Sequence, residues 1–161
     1  MAYSKVGISI PNVTGAIKIV VSTVTKTVEN LFDASKATLN KRFTTSSETS
    51  ENGAYITGYI GAVPGDVIYV KPAVLDPDNL VQKVNCYNDT SDAKIGAKVL
   101  SNAGGASNAI FTVSNGVGYF TVPDVSGTTR IKICLQYNTT KTTITAGDLA
   151  SVVVTKNEPI T

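Results

Sequence analysis

Apolar residues recur at every second position over short runs of this chain, and Gly, Pro, Asn and Asp separate the runs. Ile8 and Ile10 alternate with polar neighbours, Pro11-Asn12-Val13-Thr14-Gly15 interrupts, and Ile17 and Ile19 resume the alternation. That pattern predicts a hairpin over residues 6–24 with one apolar face. A lone two-stranded hairpin cannot bury such a face, so its isoleucines need a cover. Two covers are open: the chain's own sheets, or a neighbouring protein whose sheet edge the hairpin extends in an attachment role.

From residue 30 the pattern changes. Asp33 or Ser35 is placed to cap a short helical turn over 36–39, and the Thr, Ser and Glu run from Phe43 to Asn52 holds too little apolar content to pack, which predicts an exposed loop. A strand is predicted over 54–63, a reversal at Pro64-Gly65-Asp66, and a second strand over 67–71. A proline-bearing connection over 72–78 leads to a strand over 80–87, which ends in the polar cluster Asn88-Asp89-Thr90-Ser91-Asp92. Short strands follow over 95–100 and 109–113, the second turned by Ser114-Asn115-Gly116 into a partner over 119–122. Residues 129–137 alternate so that Ile131, Ile133 and Leu135 share one face and Arg130, Lys132 and Cys134 the other, which sets Cys134 against a second layer. A last strand is expected over 151–157. Many short strands with turn signals between them predict an all-β, antiparallel β-sandwich of the jelly-roll type, with an N-terminal hairpin or attachment segment at 1–28 and the sandwich domain at 29–161.

Composition agrees with this reading and narrows the partners. Charged residues make up 16% of the 161-residue chain, against about 25% in an ordinary soluble domain, and the net charge is +2 with the lysines scattered. No basic stripe exists for a phosphate backbone, so nucleic acid is not expected as a partner. No apolar run approaches the ~20 residues of a membrane span, and Met1-Ala2-Tyr3-Ser4-Lys5 lacks the apolar core of a secretory leader, so folding in a cytoplasm is expected. In that compartment Cys86 and Cys134 read as two buried thiols rather than a disulfide.

The chain has no histidine, which removes the commonest general base and the usual nucleophile triads. Acidic residues remain, among them Glu48, Glu51, Asp66, Asp76, Asp78, Asp89, Asp92, Asp124 and Asp148, all in predicted turns, where acidic residues belong without any catalytic role. The expectation is a protein that is not an enzyme and needs no cofactor. Asp89 and Asp92, beside Asn88, are the candidate ligands for calcium, against an Asx turn at a strand end. Tyr87, Asn88, Tyr119 and Tyr137 are the candidate carbohydrate-binding residues, because sugar C–H faces stack on rings and hydroxyls need planar polar partners. Buried strand tyrosines are the alternative for these three rings.

Four segments carry a resemblance: Asn30-Leu31-Phe32-Asp33; the run from Tyr55-Ile56-Thr57-Gly58-Tyr59-Ile60 through Pro64-Gly65-Asp66 to Val70; Val84-Asn85-Cys86-Tyr87-Asn88-Asp89; and Thr129-Arg130-Ile131-Lys132-Ile133-Cys134-Leu135. Together they resemble a recurrent module of phage tail, baseplate and fibre proteins, itself similar to carbohydrate-binding jelly rolls. The likeness spans roughly residues 30–157 by eye, and its most specific piece is 55–70. The segment 6–24 looks like the closing strands of the immunoglobulin-like domains that often precede this module, although no complete domain of that kind fits before it.

The resemblance implies a non-catalytic bacteriophage virion structural or surface protein, in the tail, baseplate, fibre or capsid decoration. Other virion proteins are then its partners, in a homo-oligomer for which a trimer is the first expectation. A host-surface glycan-binding, receptor-binding module is the alternative. A bacterial cell-surface adhesion module is a third reading, disfavoured by the missing leader.

Overall fold

The computed structural model describes residues 27–44, 47–76 and 81–160. The 6–24 hairpin, with Ile8, Ile10, Ile17 and Ile19, lies outside these residues, as does Asp78.

The described residues are all-β, in two sheets, with two short 3-10 turns at Ala34–Lys36 and Asp148–Ser151. Asp33 caps the first by accepting from the Ser35 amide, as its side chain predicts, but the turn stops at Lys36 and Leu39 already lies in a strand. The strands are β1 (Thr38–Phe43), β2 (Glu48–Ile56), β3 (Ile60–Gly61), β4 (Val67–Lys71), β5 (Lys83–Asn88), β6 (Ser91–Ser101), β7 (Asn108–Ile110), β8 (Thr112–Ser114), β9 (Val117–Thr121), β10 (Arg130–Gln136) and β11 (Val153–Lys156). One sheet runs in the order β1-β2-β10-β5-β6-β7, with β3 added to β10, and the other in the order β11-β4-β9-β8.

The chain changes sheet at the reversal the sequence predicts. Val63-Pro64-Gly65-Asp66 joins β3 in the larger sheet to β4 in the smaller, with the Asp66 amide donating to the Val63 carbonyl at 3.1 Å and Gly65 at φ +90°. The chain returns to the larger sheet for β5, crosses again between β7 and β8, and comes back from β9 to β10, so β4 pairs β9 in one sheet while β3 pairs β10 in the other.

Inward side chains of both sheets meet in one core: Tyr55, Val84, Cys86, Ile131, Ile133 and Leu135 from the larger, Ile68, Val70, Phe120 and Val154 from the smaller. Burial of such side chains stabilises by roughly 1.5–3 kcal/mol each. The N-terminal end of the described chain is fastened to this frame, because Leu31 donates to the Val154 carbonyl at 2.8 Å while the Asn30 amide brackets β11 between Val152 and Val154.

Four expectations need correction. The run from Phe43 to Asn52 is not all loop: β2 starts at Glu48, and Glu51 there pairs with Arg42 of β1 at 3.1 Å, so cross-strand pairing replaces the apolar content the run lacks. The acidic residues are accordingly not all in turns, since Glu48 and Glu51 lie in β2 and Asp92 in β6. The expected single strand over 109–113 is two strands in different sheets, β7 and β8, with fully buried Phe111 between them. Finally, the sheets are not purely antiparallel, because β7 pairs β6 in parallel after the loop over 102–107.

Phe111 also explains Gly118. A Cβ at that glycine would fall 2.3 Å from the Phe111 ring and 2.7 Å from the Ala73 methyl, so only hydrogen fits beneath the residue that links the sheets.

Candidate functional site

The outer face of the larger sheet is partly covered by its own edge. A bulge at Asn40, φ +51°, bends β1, and the Asn40 carboxamide pins the bend by exchanging hydrogen bonds with the Ile144 backbone at 2.9 Å in each direction. The β1–β2 hairpin then folds across β10, with the Phe43 carbonyl accepting from Lys83 of β5 and the Lys41 carbonyl facing the Cys134 thiol. Phe43, Ala54, Ile56, Val81 and Cys134 form a second, smaller apolar cluster beneath it. Cys134 therefore sits against a second layer, as its place in the β10 alternation predicts, while Cys86 faces the main core; both thiols are free.

Between the hairpin tip and the β5–β6 hairpin lies a groove of about 360 Å³. Phe43, Thr44, Ser47 and Glu48 form one side, Asp92, Ala93 and Lys94 the other, and Asn85 and Tyr87 of β5 the floor. It continues past Asn85 and Lys94 over Lys83, Ala97 and Val99 towards Lys98 and Ser107. Its volume falls in the range of about 300–1,000 Å³ typical of small-molecule sites. The Asn85 carboxamide is 3% exposed and its nitrogen donates to the Tyr87 hydroxyl at 3.4 Å, while its oxygen is buried with no partner.

The Asp92 side is braced from β10. Arg130 donates through Nε to the Asn88 carbonyl at 3.0 Å and through Nη2 to the Ser91 carbonyl at 3.3 Å and Asp92 Oδ1 at 3.1 Å. Its guanidinium lies 3.9 Å from the centre of the Tyr59 ring, and Lys132 Nζ lies 4.4 Å from it. The Tyr59 hydroxyl donates to Asp92 Oδ1 at 3.0 Å, and the ring meets Tyr87 edge to face at 5.1 Å. Burial, with the Asp92 carboxylate next, raises the Tyr59 pKa, and burial raises that of Tyr87, so both phenols keep their protons at neutral pH. Burial also pushes the Cys134 thiol up to about 12, which leaves it a poor nucleophile.

The four tyrosine and asparagine candidates do not share one site. Tyr87 reaches the groove but is buried rather than a free platform, and Asn88 spends its side-chain oxygen on the Thr90 amide and hydroxyl, an Asx turn. Tyr119 is 40% exposed but lies on the smaller sheet, its ring 5.6 Å from Tyr69. Tyr137 packs against the main core beyond the far end of β10. Since Tyr87 pairs with Arg130, Tyr137 is seven residues along that strand, about 23 Å away at 3.3 Å per residue.

Asp89 is exposed and Asp92 Oδ1 is held by Arg130 and Tyr59, so the two proposed calcium ligands are not turned towards a common point by any contact between them. Among the described residues no group of three His, Cys, Asp or Glu side chains gathers. The residues that do build the site and were not singled out in advance are Asn85, Tyr59 and Arg130. Alternation along β5, the same signal that assigned Arg130 and Lys132 to one face of β10, places Lys83, Asn85 and Tyr87 together on the outer face.

These features define the described residues as an all-β fold of two sheets with a polar groove on one outer face. No protein-family profile, curated protein or solved structure matches the chain.

Proposed function

We propose that this chain is a non-catalytic structural and surface protein of a bacteriophage virion, part of a tail, baseplate, fibre or capsid decoration, built on a carbohydrate-binding-like jelly roll. The observation that carries the reading is the nested pairing of β3 with β10 in one sheet and β4 with β9 in the other, which is how a strand ribbon rolls into a jelly roll. The segments of the resemblance supply three of these four strands: 55–70 forms the end of β2, β3, the crossing turn and most of β4, and 129–135 forms most of β10, while β9 lies outside them. β5 and β6 depart from the full pattern by staying together in one sheet as a hairpin.

In this reading the 1–28 segment attaches the domain to other virion proteins, and the assembly is a homo-oligomer, first expected as a trimer. The test is antibody labelling of intact particles with copy number from quantitative mass spectrometry. Labelling at one structure of the particle supports the proposal; a protein present in infected cells but missing from purified particles overturns it.

A second reading, a host-surface glycan-binding module, is favoured by the groove on the larger sheet. It is compatible with the first on one protein, and binding to host cells or to a glycan array tests it separately from particle labelling.

A further inference from the structure

We infer that the groove between the β1–β2 tip and the β5–β6 hairpin is an oligosaccharide subsite, with Asn85 as the fixed point of recognition; the inference rests on the glycan-binding reading of the protein. Asn85 is a buried carboxamide at the floor of an open groove, and one end of it is unpaired within the chain. A buried polar group without a partner is costly, by about 1–3 kcal/mol; Tyr55 and Gln136 also carry such an atom, but of the three only Asn85 lines the groove. Exchanging the amide's nitrogen and oxygen would not remove the vacancy, because Tyr87 supplies one hydroxyl for two ends.

The class of ligand follows from what surrounds that amide. Thr44 spends its hydroxyl on Ser47, but Ser47 brings a hydroxyl, Glu48 a carboxylate and Tyr87 a phenol that keeps its proton, so donors and acceptors sit together within one small groove. Hydroxyl pairs, each both donor and acceptor, match such a lining better than a phosphate or a fatty chain does. Phe43 and Tyr87 line the groove but are buried, so recognition there rests on polar groups rather than on ring stacking. A peptide added as an extra strand is disfavoured, because β5 and β10 are central strands whose backbone groups are already paired on both sides. The continuation past Asn85 gives the groove room for more than one sugar ring.

The test uses the full chain on a printed array of neutral, N-acetylated and acidic oligosaccharides, with the best binder then titrated by backbone amide NMR. Three variants accompany it: Asn85→Leu, Glu48→Ala at an exposed position of the groove wall, and Tyr119→Ala on the opposite sheet. The expected result is amide shifts confined to Phe43, Thr44, Ser47, Glu48 and residues 85–94, affinity reduced at least tenfold by Asn85→Leu and severalfold by Glu48→Ala, and no change for Tyr119→Ala. Because Asn85→Leu could disturb folding, the Glu48→Ala result decides when the Asn85 variant melts early. A sugar that binds but shifts the Tyr69–Tyr119 face, or one whose affinity Glu48→Ala leaves unchanged, overturns the subsite and leaves glycan binding intact. A chain that binds no sugar at millimolar concentration overturns both, without touching the virion assignment.

Discussion

Gly65 offers the cleanest measurement of what the sheet-crossing turn requires. It occupies the third position of Val63-Pro64-Gly65-Asp66 at φ +90°, where Pro64 presets the preceding residue and a residue with a side chain is strained. A Cβ built there meets nothing within 4 Å, so Gly65→Ala adds no clash and its cost is backbone strain alone. That strain is about 1–2 kcal/mol for an L-residue forced into the left-handed region. For a chain of this size it lowers the melting temperature by roughly 3–8 °C. Gly65→Asn should lose less, since Asn tolerates positive φ, and Gly65→Val more, since a β-branched side chain tolerates it least. Gly61, in β3, also has open space around it but no positive φ, so Gly61→Ala serves as the control and should stay within about 0.5 kcal/mol of the parent or gain slightly. Circular dichroism melts and urea titrations on the four variants, read at constant m-value, give the numbers. Equal stability of Gly65→Ala and the parent would refute the strain argument, and so would equal losses for Ala and Asn.

Gly118→Ala should cost more than Gly65→Ala, about 2–3 kcal/mol or above, because its methyl collides with the Phe111 ring and Ala73 rather than entering open space; the paired trim Gly118→Ala with Phe111→Leu, measured in the same melts, should recover part of the loss. Cys86 and Cys134 face opposite sides of the larger sheet, so reductant should leave the melting temperature unchanged and thiol reagents should label neither until the chain opens, while Ala at both should cost about 1–3 kcal/mol in packing. Burial pushes the Asp66 carboxyl up, but the Val63 amide, the Asn157 carboxamide and Lys156 outweigh it and hold the folded value below the ordinary one. Its stabilisation is therefore complete above the unfolded value near ~4 and is lost as pH falls through the lower folded value. Asp66→Asn should cost about 1–2 kcal/mol at pH 7 and progressively less as pH falls through the folded value, and a deficit independent of pH would show that the charge is not involved. Deleting residues 1–27 spares the Asn30 and Leu31 bonds to β11, so the remainder should fold and yet fail to enter particles if the segment is for attachment; loss of the folded state on deletion would place the segment in the core instead.

Much of this was legible because it is local. Period-two alternation assigned faces along β10 correctly down to Cys134, Asn115-Gly116 turned β8 into β9 with both residues at positive φ, and Pro64-Gly65-Asp66 marked the reversal before β4. Asp33 capped a turn for the same local reason. Choice of partner is different, because backbone hydrogen bonds are the same for every residue and alternation states which face is apolar without saying which strand lies alongside. Nothing in residues 108–114 announces that Phe111 divides them between two sheets, since an apolar residue flanked by β-formers reads as one strand until the packing against Gly118 and Phe120 is known. The polar run before Glu48 became strand only because β1 was there to pair with it. The groove was least legible of all: its two sides come from hairpins about forty residues apart, brought together because β10, which sits far along the chain, inserts between β2 and β5. Local chemistry thus determined the strands, turns and faces of this protein, and long-range pairing, which no short window of sequence encodes, decided where the unpaired amide of Asn85 would stand and what would surround it.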